Sequence, residues 1–415
     1  MNGTDETPRL LDRLAVLRHG TYRLLFIATL GSGIGTWMAT IALTADIDHR
    51  TNSTWWVSAL FVVTFLPSVV VGVAAGPLID RLSRKRLIVS SDLVRLAVFA
   101  ALPFVHDAAG ILALAAVSGI ATSFFRPAVL AGVPNLVDEN ELATGTSLLQ
   151  ATDWLAASLG PVVGGAIVSG FGTHIVYWVN AATFLFSAAL LVRISGNLLQ
   201  SEQGITRGHW RDLREGISLF GDSPALRAVL FGFGLAMLAG GLINVAEIFL
   251  ATRSLGSGAF GYGLLWSATG VGLVTGSMLT GALLEDRDAL DRYALVFLPW
   301  ALGLIGAAAA PNIWIAALAM VLAGLGNGMT FPMTVVIVQR ATSDRVRGRA
   351  FAAIISAHNA LFALAMVCSG ALTAAASARW TYATAAGLAA AGGCTARVLA
   401  RKRVEQPALG AEQPA

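Results

Sequence analysis

A few residues in this 415-residue chain have side chains that can do chemistry where chemistry is expensive. Asp153 and Glu247 each stand in a long apolar run, as does the pair His358-Asn359. An ionisable group at membrane depth is rare and usually functional. It can exchange a proton or hold a cationic substrate. It can equally close a structural hydrogen bond between helices. Asp92 and Arg95 are spaced i, i+3, so one helix face brings them together as a local ion pair. A substrate contact is the alternative for both.

Two further segments carry spacing rather than isolated chemistry. Gly76-Pro-Leu-Ile-Asp80-Arg81-Leu-Ser83-Arg84-Lys85-Arg86 sets one carboxylate among four bases. Asp80 can pair with a base or cap a helix N-terminus there. Arg126 is a candidate partner for it, and a simple topology anchor is the alternative. Gly160-Pro161-Val-Val-Gly164-Gly165 has no functional groups at all. Its glycines allow another helix to approach closely, and Pro161 removes a backbone donor and bends its helix. That combination suits a hinge as well as plain tight packing.

The elements that must position these residues follow from composition. The chain is 56% hydrophobic and 13% charged. Soluble domains carry about 25% charged residues, so a soluble enzyme, a disordered protein and a nucleic-acid-binding domain are all excluded as poor fits. Crossing a bilayer takes about 20 mostly apolar residues. Twelve such runs occur, near 22–46, 55–79, 86–105, 109–131, 145–169, 174–193, 226–250, 261–284, 293–310, 312–337, 349–375 and 378–398. They are rich in Gly and Ala and lack strand-like alternation. The fold class is therefore an all-α integral membrane protein.

Charge placement orients it. With the N-terminus inside, 23 of the 28 Lys and Arg residues fall in inside segments. The net charge of +4 is thus a matter of topology rather than of a nucleic-acid partner. Residues 1–21 read as a cytoplasmic segment without a signal-peptide plan, and 399–415 as a cytoplasmic tail. The polar stretch 194–225 divides a six-helix half at 22–193 from another at 226–398. Gly76-Pro-Leu-Ile-Asp80-Arg81 and Gly281-Ala-Leu-Leu-Glu285-Asp286-Arg287 stand 205 residues apart, as do Pro127 and Pro332, which predicts an internal duplication.

The loop from Gly76 to Arg86 resembles the signature of the major facilitator superfamily, with Ser83 where that signature usually has Gly. Gly160, Pro161, Gly164 and Gly165 resemble the core of the motif associated with its exporters. Phe125-Arg126-Pro127-Ala128, Asn140-Glu141-Leu142-Ala143 and Arg345-Val-Arg347-Gly348-Arg349 resemble a bacterial branch that includes enterobactin and macrolide exporters. The resemblance covers nearly the whole chain. It implies two pseudo-symmetric six-helix bundles working by alternating access around a cavity between them. It gives Gly76, Asp80, Arg81, Arg84, Lys85, Arg86 and Arg126 the role of a gating latch, and the Gly160–Gly165 motif that of a hinge. Asp153, Glu247, His358, Asn359, Asp92 and Arg95 become candidates for coupling or substrate contact. The arginine motif that many proton-coupled members carry in the fourth span is missing, since Val117–Phe125 contains no Arg.

No phosphate-binding loop exists, and the only lysines are Lys85 and Lys402, which argues against an ATP-driven pump. No His-Glu-x-x-His or Gly-x-Ser-x-Gly constellation supports an enzyme. No soluble domain supports a receptor or scaffold. The expectation is a secondary transporter in the bacterial cytoplasmic membrane, monomeric, with both termini cytoplasmic. It would export an amphipathic drug, macrolide or siderophore-like molecule by proton antiport and so contribute to multidrug resistance. Trp37 and Trp154 are candidates for its pocket. No metal or organic cofactor and no nucleic acid are implied. An uptake symporter is the main rival.

Overall fold

The computed structural model describes residues 15–74, 83–195, 223–284, 289–342 and 344–401. These are almost entirely helical. Six long helices come first: α1 (Gly20–Thr51), α2 (Thr54–Ala74), α3 (Arg84–Ala101), α4 (Ala108–Gly132), α5 (Leu142–Phe171) and α6 (Thr173–Val192). Six follow: α7 (Pro224–Phe249), α8 (Gly258–Leu284), α9 (Phe297–Ala309), α10 (Ile313–Ala341), α11 (Asp344–Ala375) and α12 (Ala378–Arg401). Each expected span has its helix. Among the described residues, eleven spans are both long and apolar enough to cross a bilayer.

Local chemistry explains the interruptions. A short helix, Ala289–Leu295, leads into α9 with a break at Val296. Pro299 has no N–H to offer the Leu295 carbonyl, and its ring crowds that carbonyl, so the helix restarts. Asp107 caps α4 by accepting from the Gly110 N–H at 2.7 Å, and Asn312 caps α10 through two N–H groups at 3.1 Å. At its far end α7 passes into a π-helical turn, Leu250–Ser254.

The chain forms two compact units. One comprises Met1–Asn52 and Val63–Thr206, the other Ser53–Val62 and Arg207–Ala415. The first turns of α2 thus belong to the second unit. There Thr54 Oγ1 donates to the Gly370 carbonyl at 2.9 Å.

Within the first unit α1 packs on α5 and α6, and α3 on α4 and α6. Within the second, α7 packs on α11 and α12, and α9 on α10 and α12. Shifting every label by six converts one set of pairings into the other, so the duplication hinted at by the repeated motifs is present in the packing. Small residues make the tightest pair: Gly272 and Gly276 of α8 face the backbone of α10 around Val321 and Leu325, and Gly324 and Gly328 face back. Outward-facing side chains are apolar as well, including Leu66, Phe186, Met278, Leu318 and Trp380, as lipid contact requires.

Candidate functional site

The first unit contains a cavity of about 140 Å³ bordered by α1, α3, α4 and α5. Its lining combines the apolar side chains of Trp37, Phe125, Val129 and Leu130 with the hydroxyls of Thr29, Ser32, Thr36 and Thr122. Three of these hydroxyls donate to their own helix: Thr29 to Leu25 at 2.8 Å, Thr36 to Ser32 at 2.7 Å and Thr122 to Ser118 at 2.8 Å. Their oxygens retain lone pairs for a ligand.

In the cavity lining Arg126 of α4 forms an ion pair with Asp153 of α5 and donates to Gln150 Oε1 at 3.0 Å. The arginine side chain is 48% exposed and the aspartate 33%. The pair is therefore open to the cavity and can be taken apart by a charged or hydrogen-bonding ligand. Sites for drug-sized molecules span roughly 300–1,000 Å³. A cavity of about 140 Å³ holds one ring or headgroup in this conformation.

A second pair, this one buried, adjoins the cavity. Asp92 is fully buried and Arg95 is 3% exposed. Arg95 donates to Asp92 Oδ1, and Ser187 donates to Asp92 Oδ2 at 2.6 Å. The guanidinium is sandwiched between Phe125 and Phe184, its carbon 4.4 and 4.3 Å from the ring centroids. The i, i+3 spacing therefore does make a local ion pair, and Arg95 also borders the cavity.

The hinge motif lies on the α1–α5 contact. Gly160, Pro161, Gly164 and Gly165 are all buried. A Cβ added at Gly160 would fall 2.6 Å from Trp37 Cβ, and one at Gly164 would fall 2.7 Å from Met38 Cα. Trp37 thus sits both on the glycine contact and in the cavity wall. Trp154 does not border the cavity and is 37% exposed.

Gly76, Asp80 and Arg81 of the expected latch lie outside the described residues. Arg84 donates to the Ala131 carbonyl and Lys85 to the Val192 carbonyl, each at 2.7 Å, while Arg86 is exposed. Arg126, expected near Asp80, has Gln150 and Asp153 as its partners among the described residues. His358 Nε2 lies 3.3 Å from the Leu230 carbonyl, and its ring stands edge-on to Phe233. This is the helix-bridging alternative for that histidine. Asn359 beside it is half-buried. Glu247 is buried in α7, and its Oε1 has no hydrogen-bond partner among the described residues.

Sequence reading missed two networks. Asp46 accepts from Arg50 Nε at 2.7 Å and from the Tyr177 hydroxyl at 2.9 Å, and Arg50 reaches the His106 carbonyl at 2.9 Å. The i, i+4 spacing of Asp46 and Arg50 was the available signal. At the start of α5, Glu141 accepts from Arg18 at 3.0 Å and lies 2.7 Å from His19 Nε2. His19, Asp138 and Glu141 are the one group among the described residues that gathers three metal-competent ligands. Arg18 occupies a Glu141 oxygen, so the cluster is an ion-pair network tying the N-terminal turn to the α4–α5 connection.

Twelve helices in two units with matching internal packing define a membrane transporter of the major facilitator type, not an enzyme. The family model described as "Transmembrane secretion effector" matches residues 12–413, and the chain belongs to that family. It is 24% identical to the uncharacterized MFS-type transporter YfiS of Bacillus subtilis, over 85% of this chain and 86% of the relative. It is 26% identical to the multidrug efflux pump Tap of Mycolicibacterium fortuitum, over 51% of this chain and 55% of that protein. Two solved structures share the fold. The nucleoside transporter NupG has a TM-score of 0.72 at 14% identity, covering 91% of this chain and 98% of that one. A bacterial homolog of the human lysosomal transporter Spinster, inward-facing and unoccupied, has 0.71 at 14% identity, covering 95% and 99%. At that identity they speak for the fold alone. As a multi-pass transporter the protein works in a lipid bilayer on a small-molecule substrate.

Proposed function

We propose that this protein exports an amphipathic organic molecule, drug, macrolide or siderophore-like, by alternating access driven by the proton gradient. The observation that carries the reading is the Arg126–Asp153 pair set in an aromatic and hydroxyl-lined cavity. Apolar walls take up the greasy part of such a compound, and an exposed ion pair can be exchanged for its polar group. The buried Gly160–Gly165 motif and the similarity to Tap support export over uptake. The basic inside segments support cytoplasmic termini in a bacterial inner membrane.

The test is ethidium transport in everted vesicles with and without an uncoupler. Accumulation that collapses on uncoupling establishes direction and energy source together. Accumulation only in right-side-out vesicles would replace export with uptake. Asp153→Asn should lower uncoupler-sensitive accumulation about tenfold, equivalent to ~1.4 kcal/mol. Unchanged accumulation would remove Asp153 from the site. If the loop from Gly76 to Arg86 is a latch, Asp80→Asn should impair transport while the protein still inserts at its normal level. Normal transport by that variant would reduce the loop to a topology anchor.

A further inference from the structure

The second unit holds a carboxyl that the cavity in the first does not use. Glu247 is 4% exposed, one turn before the π-helical segment Leu250–Ser254 that ends α7. Its Oε1 and the Tyr382 hydroxyl of α12 are both buried without a hydrogen-bond partner among the described residues. Tyr382 lies within electrostatic range of Glu247 and of Tyr262 on α8. Tyr262 and Tyr382 are completely buried, and α7 and α12 pack directly on each other.

We propose that Glu247, with Tyr382 in electrostatic range of it and Tyr262 in range of Tyr382, is a buried proton-binding site of the second unit, loaded in this conformation and emptied when α7 shifts at its π-helical turn. An unpaired buried carboxylate is strongly disfavoured. A carboxylic acid carries no charge, so one bound proton removes the cost of keeping an unpaired carboxylate in this buried site. Releasing that proton breaks the acid O–H bond, leaves the electron pair on the carboxylate and passes the proton to water. The carboxylate then requires water or a cation, and Glu247 is 4% exposed in this packing. Emptying is therefore tied to a rearrangement. A π-helical turn, with its looser i→i+5 bonding and frequent association with function, is a natural pivot.

The other charged groups on the surrounding helices are engaged or distant. Arg253 on the π-turn stacks over Phe249 at 4.4 Å, and Arg379 on α12 donates to the Ala308 carbonyl at 2.6 Å. His358 on α11 bonds near Leu230, about 25 Å along α7 at 1.5 Å per residue. Arg340 lies in the last turn of α10. A metal ion would seek about six oxygens, and three side chains fall short.

The inference rests on the proton-driven reading above, and its test separates the two. Full-length protein in lipid nanodiscs is treated with dicyclohexylcarbodiimide, which attacks protonated carboxyls in apolar sites, and the adduct is located by peptide mass spectrometry. Labelling at Glu247 should fall about tenfold per pH unit above its titration, and Tyr382→Phe should move the midpoint. Glu247→Gln should abolish labelling there and remove uncoupler-sensitive ethidium accumulation, while keeping ethidium counterflow that needs no gradient. No adduct at Glu247, or labelling indifferent to pH, overturns the site. So does protection by sodium ions at constant pH, or full uncoupler-sensitive transport by Glu247→Gln. The wild-type labelling curve decides even if Glu247→Gln fails to fold. Wild-type vesicles that move no ethidium would sink the efflux reading and leave the labelling curve to judge the proton site.

Discussion

Asp92→Ala should destabilise the protein by about 3–5 kcal/mol, the usual cost of removing one partner from a buried ion pair. The aspartate is fully buried, and its loss strands a guanidinium that is 3% exposed between Phe125 and Phe184. Arg95 would keep only its Nε bond to the Ser91 carbonyl at 3.3 Å. Ser187 would also lose its acceptor. Thermal unfolding in lipid–detergent micelles, read by size-exclusion chromatography, measures the effect. The decisive companion is Asp92→Ala combined with Arg95→Met. Replacing a whole buried pair by apolar side chains is often close to neutral, so the double variant should recover most of the loss. Equal losses in single and double variants would show that Asp92 acts through Ser187 and packing rather than through charge. Because Arg95 also borders the cavity, the double variant tests transport at restored stability, and a persistent defect would give Arg95 a role in the ligand site.

Gly164→Val should cost about 1–3 kcal/mol, the range for forcing extra atoms into a packed contact, and should abolish transport in the protein that remains folded. The new Cβ would meet Met38 Cα at 2.7 Å and its carbonyl oxygen at 2.8 Å. Both are backbone atoms of α1, so no side chain can swing aside and the helices must separate. Trp37 and Gly33, which border the cavity, ride on the same helix. Gly170→Ala on the same helix is the control: its added methyl meets nothing within 4 Å. It should leave stability and transport unchanged. A Gly164→Val protein with normal unfolding temperature and normal ethidium accumulation would show that α1 and α5 need not stay in contact.

The helices were legible because their signal is bulk composition. A bilayer demands long apolar runs whatever their neighbours do, so all twelve expected spans have a helix. The ion pair of Asp92 and Arg95 was legible because i, i+3 neighbours meet on any helix. The pair between Arg126 and Asp153 was not, since 27 residues and two different helices separate its members. Asp46 and Tyr177, or His19 and Glu141, were hidden for the same reason: each bond joins chain segments more than a hundred residues apart.

The sequence by itself determined the class of protein and its long apolar helices, because low charge and apolar length act locally or additively along the chain. The tertiary structure alone decided which polar residues share a site. It set Asp153 against Arg126 at a cavity, joined Ser187 to the buried pair of Asp92 and Arg95, gave His358 a backbone carbonyl and left Glu247 buried with an oxygen that has no partner among the described residues. Those outcomes depend on which helix faces which, and helices that are apolar on every side do not announce their neighbours. Close contact between small residues sets that choice, and it exists only once the bundle has packed.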